Sequence, residues 1–297
     1  MLDAVVWVIS NIGLAFYNLG YAVTHPQLWL NWSDKEALMR FIYYGASVEL
    51  FFVVFVAFLI VTAIGFWRNS FLWGVVRVFE TISNTIGRVA AWAGLIMVLQ
   101  QIVIIFMQRV FAVAELGFGF GKVVTLPVSW WSEELKLYNA MVVSLCIAWT
   151  FVQGGHVRVD LFYSQARFRT KKVIDMFGAL VFMIPAATII WLYSWFFLWR
   201  HLVVPKPSAS ETLDRLLMKS RALRWNVETI GFSPNGFNAY FLFKVLLCLF
   251  TALMFLQAVT FFYRSYLEWK EGPESEGKHL DRDVIGDPTA ELVADIH

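Results

Sequence analysis

From Phe41 to Phe66 the sequence carries a single charged side chain, Glu49. About 20 apolar residues suffice for a helix to cross the ~30 Å hydrocarbon core of a bilayer. In lipid every backbone N–H and C=O must be bonded within the chain, so such a stretch is forced to be helical. Five further stretches have the same character, at 4–23, 89–112, 135–153, 173–200 and 238–263. The fold class that follows is an all-α integral membrane protein of about six transmembrane helices. Composition agrees: 59% of residues are hydrophobic and 15% charged, against about 45–50% and 25% in soluble domains. A net charge of +2 gives no reason to expect nucleic acid as a partner.

The polar residues inside these stretches are few. Asn11 and Asn18 share one helical face of the first, which is either a span packed on another helix or a helix lying in the interface. The absence of a basic region before it, with Asp3 acidic, reads against a cleaved signal. Glu49 lies well within the second stretch. It is either a paired, protonated or functional carboxylate, or a hydrated one near the interface beside Tyr43 and Tyr44. Gln100 and Gln101 in the third should face protein, as should Asn139, Ser144, Thr150 and Gln153 in the short fourth. Pro185 removes a backbone hydrogen bond in the fifth and predicts a kink. Lys244, near the start of the sixth, is placed to snorkel toward an interface.

The connections have their own patterns. Ser70 is a candidate N-cap for a helix over 70–88. Phe71, Leu72, Val75, Phe79, Ile82 and Ile86 make its apolar face, opposite Arg77, Glu80, Thr81, Asn84 and Arg88. Such a helix is expected to lie in the membrane surface. Residues 24–40 and 113–134 read as loops. Trp130 and Trp131 are interface anchors, and Glu133 and Glu134 open the next helix, where the dipole favours acid. Ser208 and Glu211 have capping-box spacing ahead of a short helix carrying Leu213, Leu216, Leu217 and Leu223. The acidic residues 267–297 are expected to be a disordered tail. The chain thus divides into an extension of two spans (1–68), an interfacial helix (69–88), a four-span core (89–266) and the tail. Arg68, Arg77, Arg88, Arg158, Arg167, Arg169, Lys171 and Lys172 place both termini in the cytoplasm. Lys206, Arg215, Lys219, Arg221 and Arg224 then lie outside, against the trend.

The densest polar motif is Gln153-Gly154-Gly155-His156-Val157-Arg158-Val159-Asp160, between the fourth and fifth spans. Its glycines permit positive φ and a sharp change of direction. It is either a solvated turn or a recognition motif in which Arg158 and Asp160 fix the turn. No metalloprotease, nucleophile-elbow or phosphate-loop motif occurs. The two cysteines, Cys146 and Cys248, sit in apolar runs with no metal-ligand spacing. The chain therefore reads as a non-enzyme with no cofactor of its own.

From Ile82 to Tyr266 the pattern resembles the small membrane subunit of tripartite ATP-independent periplasmic (TRAP) transporters, the DctQ-like family. The residues that carry it are Arg109-Val110-Phe111, then Glu133-Glu134-Leu135, then Gly154 through Tyr163, then Tyr193-Ser194-Trp195 and a final span. Two spans precede the four usual in that family, and the connection at 201–237 is longer. The resemblance implies a scaffold in the bacterial inner membrane, clamped to a large permease subunit and surrounded by membrane lipids. It implies import of an organic acid, a carboxylate or sulfonate, delivered by a periplasmic binding protein, with the sodium sites on the large subunit. Two other classes compete. A haem- or quinone-linked redox subunit would want histidines within its spans, whereas His25, His156, His201, His279 and His297 lie outside them or at their ends. A stand-alone channel would need rings of polar groups, for which Glu49 is the one candidate.

Overall fold

The computed structural model describes residues 2–118, 124–154, 163, 165–203, 207–208, 210–219, 223, 237 and 239–281. It is almost entirely helical. Six helices are long and apolar enough to cross a membrane: Asp3–Thr24, Val48–Trp67, Asn69–Val110, Val128–Val152, Phe168–Arg200 and Phe241–Glu271. The expected fold class is borne out, while several boundaries move.

Helix α1 is Leu2–Thr24. The connection after it, expected as a loop, holds the short α2 (Gln27–Leu30) and α3 (Lys35–Tyr44). Asp34 caps α3 by accepting from the Glu36 N–H. The second span begins at Val48 rather than Phe41, because α3 ends at Gly45 and Ser47 starts α4 (Val48–Trp67) by accepting from the Leu50 N–H. A Cβ on Gly45 would overlap the Trp195 indole, so only glycine lets the α3–α4 corner press against that ring.

The interfacial helix and the third span are one continuous helix, α5 (Asn69–Ile105), prolonged by a π turn at Phe106–Val110. Ser70 lies inside its first turn and Arg68 holds the cap position. Its amphipathic half departs from expectation in part: Leu72 is buried and Arg77 and Thr81 are exposed, but Glu80 and Asn84 are buried in protein while Phe71 and Ile82 are exposed. A two-stranded hairpin follows, β1 (Glu115–Phe118) antiparallel to β2 (Val124–Pro127). Helix α6 (Val128–Val152) starts directly after Pro127, whose fixed φ suits a helix entry. Helix α7 (Phe168–Gly178) runs through a π turn (Ala179–Met183) into α8 (Ile184–Leu202). The Ile184 N–H bonds to the Ala179 carbonyl, so the wide turn takes up the break that Pro185 imposes. Helix α9 is Leu213–Lys219 and α10 is Phe241–Glu271.

Helix α10 is the centre of the molecule, packed on α5, α6, α7 and α8. Helices α5 and α6 approach closely at Gly87, where a Cβ would collide with Trp149 and the Cys146 thiol donates to the Gly87 carbonyl at 3.4 Å. Helix α4 joins through Tyr263 of α10. Its ring stacks on Phe58, and its hydroxyl lies 3.1 Å from Thr62 Oγ1 and 3.2 Å from the Phe58 carbonyl. Helix α1 packs on α4 around Ala15, Phe52 and Val56 and exposes most of its remaining surface.

Candidate functional site

Polar side chains collect at the two ends of the bundle. At the end where α5 starts, Glu80 and Arg264 form a buried fork: Nε donates to Oε1 at 2.7 Å and Nη2 to Oε2 at 2.6 Å. Arg264 also faces Glu268 at 3.5 Å and lies over the Trp73 ring. Glu268 pairs with Lys172 of α7 at 2.6 Å, and Lys172 reaches Glu276 at 3.2 Å. Three helices are thereby joined by buried charge. Breaking such a set by removing one member leaves an uncompensated ion and is strongly destabilising.

The segment after α10 closes over this network. Residues 267–297 are expected to be disordered, yet α10 continues to Glu271 and the chain is folded through a 3₁₀ turn at Pro273–Ser275 as far as Asp281. Arg88 pairs with Asp281 at 3.0 Å, and Asn84 Nδ2 donates to both its carboxylate and its carbonyl. Gln153 Nε2 donates to the same carbonyl at 3.1 Å. These donors, Arg88 first and Asn84 second, hold the Asp281 carboxyl below its ordinary value. His279 sits edge-on to Trp73 at the surface, and lost hydration there, followed by the charge of Arg77, pushes it below its ordinary value. Residues 282–297 lie outside the described residues.

The end of α6 enters this region. Gly154 has φ +76° and its N–H bonds to the Phe151 carbonyl at 3.2 Å. Gly155, His156, Arg158 and Asp160 lie outside the described residues. Just beyond them, the Tyr163 hydroxyl donates to Asp175 at 2.7 Å.

At the opposite end, Glu133 and Glu134 lie within α6 rather than at its start, since the helix begins at Val128. They act as cross-links instead of dipole partners. Glu133 accepts the Phe237 N–H at 2.7 Å, beside the entry to α10. Glu134 accepts from Gln100 Nε2 of α5 at 3.1 Å and from the Tyr138 hydroxyl at 3.2 Å. Arg109 is exposed in the π turn, and no ion pair among the described residues joins it to either glutamate. Glu49 stands half-buried in the first turn of α4, where its charge is favoured by the helix N-terminus. Lys244 does not reach out to an interface: it is buried, with its ammonium 4.6 Å from the centre of the Phe197 ring. Ser208 forms a local turn, accepting from the Ser210 N–H, while Glu211 bonds Lys219 across α9 rather than capping it.

A further aromatic joint holds the N-terminal extension to the core. The Trp195 indole donates to the Ile42 carbonyl at 2.8 Å and Trp191 to the Gly45 carbonyl at 2.9 Å. Trp32 and Phe41 pack edge-on to Trp199. Among the described residues no three His, Cys, Asp or Glu side chains converge as a metal site. Two surface grooves are lined wholly by apolar residues, one between α1 and α4 and one between Ile86 of α5, Leu145 of α6 and Leu253 of α10.

No curated protein and no solved structure matched the chain. One family model did, over residues 119–205, which run from the hairpin through α6 and the glycine turn to the end of α8. That stretch includes Glu133, Glu134 and Gly154 through Asp160, but neither Arg109 nor Glu49. Over those residues, in a chain of six apolar helices, this protein is similar to the DctQ component of tripartite ATP-independent periplasmic transporters.

Proposed function

We propose that the chain is the small membrane subunit of a TRAP-type transporter that imports an organic acid, a carboxylate or sulfonate, together with sodium. The observation that carries this reading is the family match over residues 119–205 within a six-span helical chain. The disposition of polar groups supports it. A carrier working alone needs broken helices and polar groups around a midplane site. Here the Glu80–Arg264 and Lys172–Glu268 pairs and the Gln100–Glu134 bond tie one helix to another, as befits a rigid scaffold.

On this reading the chain performs no catalysis. The large permease subunit holds the solute and sodium, and a periplasmic binding protein delivers the solute. The small subunit anchors the permease and widens its footprint in the inner membrane. On this reading six crossings return the chain to the side it started from, and the basic cluster Arg167, Arg169, Lys171 and Lys172 supports the cytoplasm as that side. The turn at Gly154–Asp160 is then a cytoplasmic positioning element, with Arg158 and Asp160 fixing its shape. The test is affinity purification of the tagged chain from native membranes, with partners identified by mass spectrometry. Recovery of a large polytopic permease supports the reading. Recovery of the chain alone, or with redox enzymes, overturns it.

A further inference from the structure

Helix α5 carries an apolar seam of strict seven-residue period along its outward side. One set of positions is Val75, Ile82, Val89, Ile96, Val103 and Val110, all β-branched. The other set, offset by four, is Phe71, Val78, Thr85, Trp92, Leu99 and Phe106. An apolar repeat of 3.5 residues on a helix is the pattern that packs against a second helix. Apart from Val75, which packs on the cluster holding Val259 and Tyr263 of α10, the seam positions are exposed. Val78, Val89 and Trp92 are 56%, 67% and 66% exposed, and α6 and α10 pack on the other side.

Lipid cannot cover this seam. From Phe71 to Val110 it is about 58 Å long at ~1.5 Å per residue. The hydrocarbon core is about 30 Å thick, and a helix tilted by ~40°, the upper end of what is observed, traverses only about 39 Å of it. A remainder of roughly two heptads therefore projects beyond the hydrocarbon. The surroundings show which end projects. At the level of Phe71, Val75 and Val78 the neighbouring elements turn ionic, with Glu80–Arg264, Lys270 on Asn69, and Lys278–Glu271.

A second copy of the chain also fits poorly. Copies in one membrane share an orientation, so paired α5 helices would run parallel, setting Trp92 against Trp92 and Phe106 against Phe106. Membrane helices that self-associate bring small residues together, and this seam has Thr85 as its one small member. It presents knobs and calls for a partner that supplies holes.

We propose that the α5 seam is the docking surface for the large permease subunit, which lays against it a helix rich in small residues and long enough to continue past the bilayer surface. This rests on the functional reading above and adds to it the surface of contact. The experiment places a benzophenone side chain at Val78, Ile82 or Ile96, and at the exposed off-seam Arg77 as control, in native membranes of cells making the whole transporter. Expected are cross-links to a large polytopic protein from the three seam positions and not from Arg77. A companion variant, Val78→Glu with Ile82→Glu, should lower permease recovery at least about tenfold, since the apolar contact would have to bury unpaired charge. Its fold is checked by an unchanged melting profile in detergent. Cross-links to lipid alone, to a second copy, or to the chain's own tail overturn the seam. So does unchanged permease recovery with the double variant. If the wild-type chain recovers a permease and the seam does not cross-link to it, the seam fails and the function stands. If the wild-type chain recovers none, the function fails.

Discussion

Arg264 holds Glu80 through two parallel hydrogen bonds, 2.7 and 2.6 Å, between residues 184 positions apart. Both side chains are nearly sealed from solvent, at 11% and 4% exposure. Glu80→Gln or Arg264→Leu strands a buried charge, and each single change is expected to cost about 3–5 kcal/mol. The double change Glu80→Met with Arg264→Leu should recover much of that loss, because an apolar pair of similar volume avoids the desolvation of both ions. A double-mutant cycle on thermal unfolding in detergent checks this. Additive losses would show that the pair is not coupled.

Much of this could be read from the sequence, for a physical reason. The hydrocarbon thickness sets a length, and six stretches met it. What the sequence hid were features set by contacts between distant residues. Glu80 and Asn84 read as the wet face of a surface helix, since nothing local discloses Arg264 or Asp281 waiting to receive them. The break at Gly45 was masked by continuous hydropathy from Phe41 to Phe66, and only the Trp195 ring explains it. Glu133 and Glu134 were located by motif but misread as a helix start, because Val128–Trp131 is an apolar opening turn with no capping side chain to announce it. The folded segment up to Asp281 is polar in composition, and its order comes from Lys172, Arg88 and Gln153 on other helices.

The Gly45–Trp195 contact predicts a selective loosening of the N-terminal extension. Gly45→Ala forces the indole aside and is expected to cost about 1–3 kcal/mol, the usual penalty of overpacking. Trp195→Phe removes the bond to the Ile42 carbonyl and leaves that acceptor buried, at about 1–3 kcal/mol. Limited proteolysis within residues 25–47 should accelerate in both variants, while the α5–α6 pair stays resistant. Unchanged cleavage would remove the aromatic joint as the anchor.

Glu49 is expected to matter little. In the first turn of α4 it gains only the modest favour of an acid at a helix N-terminus, about 0.3–1 kcal/mol. On the proposed function, Glu49→Gln should therefore leave solute uptake unchanged. Ser47→Ala, which removes the cap to the Leu50 N–H, should destabilise more, by about 1 kcal/mol. A loss of uptake in Glu49→Gln at normal protein level would restore the carboxylate as a functional group.

Docking of the segment after α10 should depend on pH in two steps. His279 and Asp281 both have values depressed by the docked state, His279 from 6.5 and Asp281 from 3.8. A depressed group stabilises the docked form fully above its undocked value and loses that contribution as pH falls toward its docked value. Protection of the 276–281 amides, measured by hydrogen exchange and corrected for intrinsic rates, should hold above about pH 7. It should decline as pH falls below 6.5, when His279 takes up a proton beside Arg77 and Lys278. It should decline again below 3.8, when Asp281 gives up its ion pair with Arg88. His279→Gln should abolish the first step and keep the second, and Asp281→Asn should do the reverse while weakening docking at neutral pH. Protection that stays flat from pH 7 to 4 in the unmodified chain would show that His279 does not sense docking.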